Sequence, residues 1–220
     1  MRVSRARWEV VLFDLDGTVV NTIPLILASY AHATTQVLGQ AAPENESRGW
    51  IGRSLADTLE ENYPVHHQEL MDAYLSWNRV NLERMVERFE GMELLLAELT
   101  EAGCRTGIVT SKRRSAAHQT LEAVALHAHI PVLTTMEDTD LHKPAAEPLL
   151  HALALLDVEP AQCVYVGDAI FDLQSARAAG LDAIGVTWGA GTPEALEAES
   201  PLAVVSDVDA LRALLLAGPA

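Results

Sequence analysis

The chain has 220 residues, 49% of them hydrophobic, which is enough for one sizeable core carrying a smaller insertion and too many for a disordered chain. Lys plus Arg is 15 against 31 Asp plus Glu, a formal net charge of −16 at pH 7. So acidic a balance excludes a basic nucleic-acid footprint and adhesion to an anionic membrane, and any anionic ligand must meet positive charge supplied locally.

The N-terminal stretch "MRVSRARWEVVLFDLDG" is basic, but its apolar run is too short for a signal peptide, and no apolar span is long enough to cross a membrane. A soluble cytoplasmic protein is expected. "EVVLF" (9–13) reads as a first strand. Residues 21–38 and 66–89 then read as two long helices with "IGRSLADTLEENY" (51–63) between them and no strand-like run, a helical insertion. From residue 105 the pattern alternates. "RTGIVTS" (105–111), "HIPVLTT" (129–135), "CVYVGD" (163–168), "DAIGVTW" (182–188) and "PLAVVSD" (201–207) read as strands. Helical patterns follow at 113–126, 146–156, 169–179, 193–198 and 207–217, with Gly180 as a C-cap and Asp207 as an N-cap. Strands alternating with helices predict an α/β fold, a doubly wound parallel sheet with helices on both faces. Residues 1–19 and 90–220 would form this core and residues 20–89 a helical cap over the strand ends. Cys104 and Cys163 lie far apart with no ligand spacing around them, so they read as buried thiols.

In a parallel sheet, ligands bind at the carboxyl ends of the strands. Asp14 and Asp16, with Gly17 and Thr18, fall after the first strand. Thr110, Ser111 and Lys112 fall after the second, Asp168 after "VYVG", and Asp172 one helical turn beyond; Lys143 lies in "LHKPAAEP". Singly, each has an ordinary explanation: "DG" as a hairpin turn, Ser111 as a helix cap, Lys143 as a solvated loop residue, Asp168 and Asp172 as cap and first-turn acid. Together, four carboxylates in one crevice would repel one another unless a cation held them, and an all-oxygen set suits Mg²⁺. Phosphoryl transfer uses such a set. Asp14 would attack phosphorus, Asp16 would protonate the leaving oxygen and later activate water, and metal and lysine would neutralise the phosphoryl oxygens. Gly17 would permit the tight turn that aims both aspartates inward.

"FDLDGTVVNT", "IVTSK", "KPAAEPLLHAL" and "VYVGDAIFDLQSARAAG", in this order, resemble the four motifs of haloacid dehalogenase superfamily phosphatases, and the resemblance covers essentially the whole chain. It implies a Rossmann-like core, Asp14 as nucleophile and Asp16 as general acid/base. It also implies Mg²⁺ on the Asp14 side chain, the Asp16 backbone carbonyl and Asp168, with Asp172 close by. Ser111 and Lys143 would hold the phosphoryl group, with Gly17, Thr18, Thr110 and Lys112 beside it. The insertion resembles the family's small helical cap, whose loop would bring Arg53 to the substrate; a solvated surface Arg is the alternative there. Asp16 and Asp168 argue against dehalogenation, and no lysine occurs between residues 20 and 90 to serve as a phosphonatase nucleophile. The subgroup most resembled is phosphoglycolate phosphatase and its pyrophosphatase relatives. A sugar-phosphate phosphatase or β-phosphoglucomutase-like phosphotransferase ranks lower, because mutases more often carry Val where this chain has Thr18. The expected substrate is a small phosphate ester, handled by a monomer or homodimer. Glu90 and His142 depart from the common pattern, and His142 is placed to tune the surroundings of Lys143. His66, His67, His127 and His129 read as ordinary helix or loop residues. A receiver-like signalling domain and a catalytically silent binding protein are the competing readings. The length and insertion oppose the first, and the complete set of acids opposes the second.

Overall fold

The computed structural model describes residues 6–218; the basic stretch at 1–5 lies outside the described residues. In chain order the strands are β1 (Val10–Phe13), β2 (Val20–Asn21), β3 (Glu87–Arg88), β4 (Arg105–Val109), β5 (Val132–Thr134), β6 (Cys163–Gly167), β7 (Asp182–Val186) and β8 (Ala203–Val205). The helices are α1 (Ile23–Leu38), α2 (Glu44–Gly49), α3 (Leu55–Asn62), α4 (His67–Met85), α5 (Met92–Glu101), α6 (Arg114–Ala123), α7 (Glu147–Leu156), α8 (Ile170–Ala179), α9 (Pro193–Ala198) and α10 (Val208–Leu215). A six-stranded parallel sheet runs in the order β5-β4-β1-β6-β7-β8.

The sheet is buried on both faces, which is why its strands read as continuous apolar runs rather than alternating ones. Val11 and Phe13 pack with Leu95, Leu96 and Leu99 of α5 and with Leu211 and Leu215 of α10. Val10 and Leu12 point the other way, toward Leu149 and Leu153 of α7 and Leu173 of α8. The expected punctuation is present: Gly180 closes α8 in the left-handed region at φ 76°, and the Asp207 side chain accepts from the Ala210 N–H at 2.8 Å to start α10. The first strand ends at Phe13 as expected, and the five later sheet strands end one to two residues earlier than the sequence pattern suggests on the carboxyl side. There the chain leaves the ladder and supplies Thr110, Ser111 and Asp168 to the crevice.

The stretch after β1 corrects the sequence reading. Val20–Asn21 pairs antiparallel with Glu87–Arg88, so a two-stranded ribbon, too short for periodicity to reveal, stands where the chain enters and leaves the helical insertion. The second long helix accordingly stops at Met85 instead of continuing to residue 89. Helices α2 and α5 were also not anticipated; α2 has Pro43 before it, Glu44 and Glu46 in its first turn, and an Arg48–Glu44 pair one turn apart. The insertion has an apolar cluster of its own, formed by Ile23, Ile26 and Tyr30 of α1, Leu59 of α3, and Leu70, Met71 and Tyr74 of α4.

Candidate active site

Strands β4, β1 and β6 are neighbours, so the residues just beyond their carboxyl ends must adjoin. Asp14 leaves β1, Thr110 leaves β4 and Asp168 leaves β6, and all three are buried. The turn after β1 is held by the Gly17 N–H donating to the Val20 carbonyl at 2.8 Å. It needs glycine twice over, for the backbone is left-handed at φ +81° and a Cβ would lie 2.4 Å from Asp168 Oδ2. This turn leads into the short ribbon and α1, so "DG" is not the corner of a hairpin.

At the centre, the buried Lys143 ammonium donates to Asp14 Oδ1 and to Asp172 Oδ1, both at 2.8 Å. Asp14, Asp168 and Asp172 each offer an oxygen within 4.8 Å of the others. Asp168 is clamped by the Thr18 hydroxyl at 2.8 Å and the Ala190 N–H at 2.7 Å. Asp172 is clamped by the Ala169 N–H at 3.0 Å and the Tyr165 hydroxyl at 3.3 Å. One ammonium, shared by Asp14 and Asp172, thus stands against three buried carboxylates. Burial pushes Asp14 up to about 7, with repulsion from Asp172 and Asp16 adding to it and Lys143 only partly offsetting it. Asp168 is driven well above the carboxylate range by burial and then by Asp172 and Asp14. Burial pulls Lys143 down, but Asp14 and Asp172 outweigh it and hold the ammonium at about 12. A buried all-oxygen cluster with surplus negative charge fits a hard divalent cation such as Mg²⁺, and Asp14, Asp168 and Asp172 are the side chains that would hold it.

The remaining expected residues surround a cavity of about 100 Å³ that Asp14 and Asp16 share with Thr110, Ser111, Lys112 and Arg53. The Asp16 carboxylate lies outside the acidic cluster, paired with Lys112 Nζ at 2.5 Å. Ser111 is not the cap of α6, a place taken by Arg113; its hydroxyl donates to the Gly52 carbonyl of the insertion at 2.8 Å. Arg53 does face the cavity, but its guanidinium is held by Glu61 at 2.6 Å and lies 5.8 Å from the Phe171 ring. His142 sits 2.9 Å from Asp57 and 3.1 Å from the Met136 carbonyl, and so bridges the insertion and the core. His66, His67 and His129 make contacts with Glu69, the Pro64 carbonyl and Glu93, and none belongs to an acidic or metal-ligating cluster among the described residues. Cys104 and Cys163 are free and buried, and burial pushes their thiols up to about 11 and about 12.

Two participants escaped the sequence reading. Tyr165, inside β6, donates to the Val109 carbonyl at 2.8 Å, and its ring lies 5.1 Å from Lys143 Nζ. A tyrosine amid aliphatic strand residues was the available signal, because its hydroxyl must find a partner when buried. The loop at 188–191 is the other: Trp188 Nε1 donates to the Thr18 carbonyl at 3.1 Å, and Ala190 holds Asp168. Gly189 lets that loop approach, since a Cβ there would stand 2.1 Å from Asp168 Oδ2. Gly189→Ala is therefore expected to displace Asp168 and lower activity about 10–100-fold with unchanged far-UV circular dichroism. Activity within a factor of two of wild type would show that Asp168 tolerates the shift.

Residues 11–186 match the model of the haloacid dehalogenase-like hydrolase family. The pyrophosphatase PpaX of Bacillus mycoides is 32% identical over 205 residues, which is 93% of this chain and 95% of that protein. A haloacid dehalogenase-like family hydrolase from Streptococcus pneumoniae shares the fold with a TM-score of 0.81 at 23% identity, covering 94% of this chain and 97% of that one. So does a predicted phosphoglycolate phosphatase from Haemophilus somnus, with a TM-score of 0.81 at 22% identity over 94% of this chain and 97% of that one. Matched by the family model from β1 to the end of β7, and by such a relative along nearly its whole length, this chain belongs to the haloacid dehalogenase-like hydrolases and is a phosphatase among them.

Proposed function

We propose that the chain hydrolyses a small phosphorylated metabolite, about the size of phosphoglycolate, through a phosphoaspartyl intermediate on Asp14. The observation that carries this reading is Lys143, buried between Asp14 and Asp172 with 2.8 Å to each. The Asp14 carboxylate attacks phosphorus, the bond from phosphorus to the ester oxygen breaks, and Asp16 gives that oxygen its proton. Water then loses a proton to Asp16 and attacks the same phosphorus. The bond to Asp14 breaks, and phosphate leaves. Lys143 fixes the orientation of the nucleophile and carries positive charge toward the phosphoryl oxygens. Lys112, paired with Asp16 in this conformation, is drawn off by an arriving phosphoryl dianion, which frees Asp16 to take up a proton. Thr18 and the Ala190 N–H hold Asp168 in place. Gly17 keeps the approach to the aspartates open, and Thr110 and Ser111 lie within reach of the phosphoryl group. Mg²⁺ held by Asp14, Asp168 and Asp172, with the backbone carbonyl of Asp16, would add charge neutralisation at the phosphoryl oxygens.

Pyrophosphate is the second reading, favoured by the PpaX relative. Magnesium-dependent phosphate release is the test, over phosphoglycolate, pyrophosphate, hexose phosphates, nucleoside monophosphates and an aryl phosphate. Release that disappears with chelator and with Asp14→Asn is expected. Undiminished release from Asp14→Asn would end the phosphoaspartyl reading.

A further inference from the structure

The wall facing the catalytic aspartates is mostly carbon. Ile26, Tyr30, Trp50, Met71, Tyr74 and Leu75 line the cavity. Tyr30 packs edge-on against Trp50 and Tyr74, with ring centroids 5.1 and 4.9 Å apart, which stiffens an aromatic surface. Polar groups on this side are already engaged elsewhere. Asn78 Nδ2 donates to Ser29 Oγ at 3.0 Å, Arg53 is paired with Glu61 and Lys112 with Asp16. Among the described residues lining the cavity, Arg113 is the only cation without a carboxylate partner. It is exposed, with its guanidinium 3.9 Å from Met71 Sδ.

The space measures about 100 Å³. An apolar cavity of ~150 Å³ accepts a benzene-sized guest, so this one, which also takes in the space beside Asp14 and Thr110, leaves room only for a compact group smaller than that. A carboxylate or a second phosphoryl group placed there would lose its water with only the exposed Arg113 at the rim free to meet it, and an anion buried without a buried partner is costly. The net charge of −16 raises that cost.

We propose that the leaving group accepted by this site is compact, uncharged and apolar, so that the enzyme cleaves short-chain alkyl or small aryl phosphomonoesters and selects against phosphoglycolate and pyrophosphate. The inference rests on the hydrolase reading above and refines the substrate of the same site. Isobutyl phosphate is the probe that isolates it, because it keeps the outline of phosphoglycolate with an isopropyl group in place of the carboxylate. Phosphate release by the wild-type full chain with Mg²⁺ is measured on isobutyl phosphate, phosphoglycolate, pyrophosphate and p-nitrophenyl phosphate. The kcat/KM for isobutyl phosphate is expected to exceed those for phosphoglycolate and pyrophosphate by more than about tenfold. Any smaller ratio overturns the inference and leaves the hydrolase reading standing, as does cleavage of p-nitrophenyl phosphate without cleavage of isobutyl phosphate. No release from any of the four, by protein shown to be folded, defeats the hydrolase reading and the inference with it.

Discussion

Asp14→Asn is expected to lower turnover by at least about 10⁴-fold, as removal of a covalent nucleophile does, and at the same time to make the metal-free protein more stable at pH 8. The second effect comes from burial. Asp14 has an ordinary value of 3.8 and is raised to about 7 in the folded chain. A raised carboxyl contributes its full stability only below its unfolded value, and that contribution is lost as pH climbs through the folded one. Wild type therefore weakens relative to Asp14→Asn between roughly pH 4 and 7, by up to about 1.4 kcal/mol per pH unit, and the gap is constant above that window. Urea denaturation of both proteins in chelator at pH 4, 6 and 8 measures it. The curves should nearly coincide at pH 4 and separate by pH 8, with the variant the more stable. Added Mg²⁺ should recover stability in wild type more than in the variant, because a cation on Asp14 favours its ionised form. A variant no more stable than wild type at pH 8 would mean that Lys143 alone meets the charge of Asp14.

Lys143→Met carries the opposite expectation. It keeps a long apolar stem and removes the one ammonium shared by Asp14 and Asp172. Breaking a buried pair by deleting one partner costs about 3–5 kcal/mol, since the other charge remains buried. In a domain of this length, that lowers the melting temperature by roughly 6–20 °C. The deficit should shrink as pH falls below 7, because the raised Asp14 carboxyl then takes up a proton and no longer needs the lysine. Calorimetry at pH 5 and pH 8 checks the direction. Equal deficits at both values would assign the loss to packing around Tyr165, whose ring also faces the ammonium.

These two variants are expected to pull stability in opposite directions at one site because the cluster holds more carboxylate than lysine. Function thus keeps a local arrangement that folding alone would not select. The sequence pattern already hinted at this, since "FDLDG" ends a fully buried strand in two acids with no cation beside them in the chain.

What the sequence by itself determined is whatever depends on neighbours along the chain. Period and punctuation located the six sheet strands, the cap of α10 at Asp207 and the C-cap at Gly180. An acid placed just past a strand end is legible for the same reason, because the end of a buried apolar run shows where Asp14 and Asp168 must emerge. The two-residue ribbon of β2 and β3 was illegible, being shorter than any period and joining residues more than sixty positions apart. Only the tertiary structure decided the pairings. Lys143 meets Asp14 across 129 positions, Lys112 meets Asp16 across 96, and Ser111 gives its hydroxyl to Gly52 across 59. Tyr165 reaches the Val109 carbonyl only because β6 and β4 flank β1. A side chain's type is a property of the sequence, but which of several buried acids a lysine faces depends on strand order and on how closely the loops approach. Those are settled by packing the whole sheet at once, and so the charge imbalance that shapes this site becomes visible only in three dimensions.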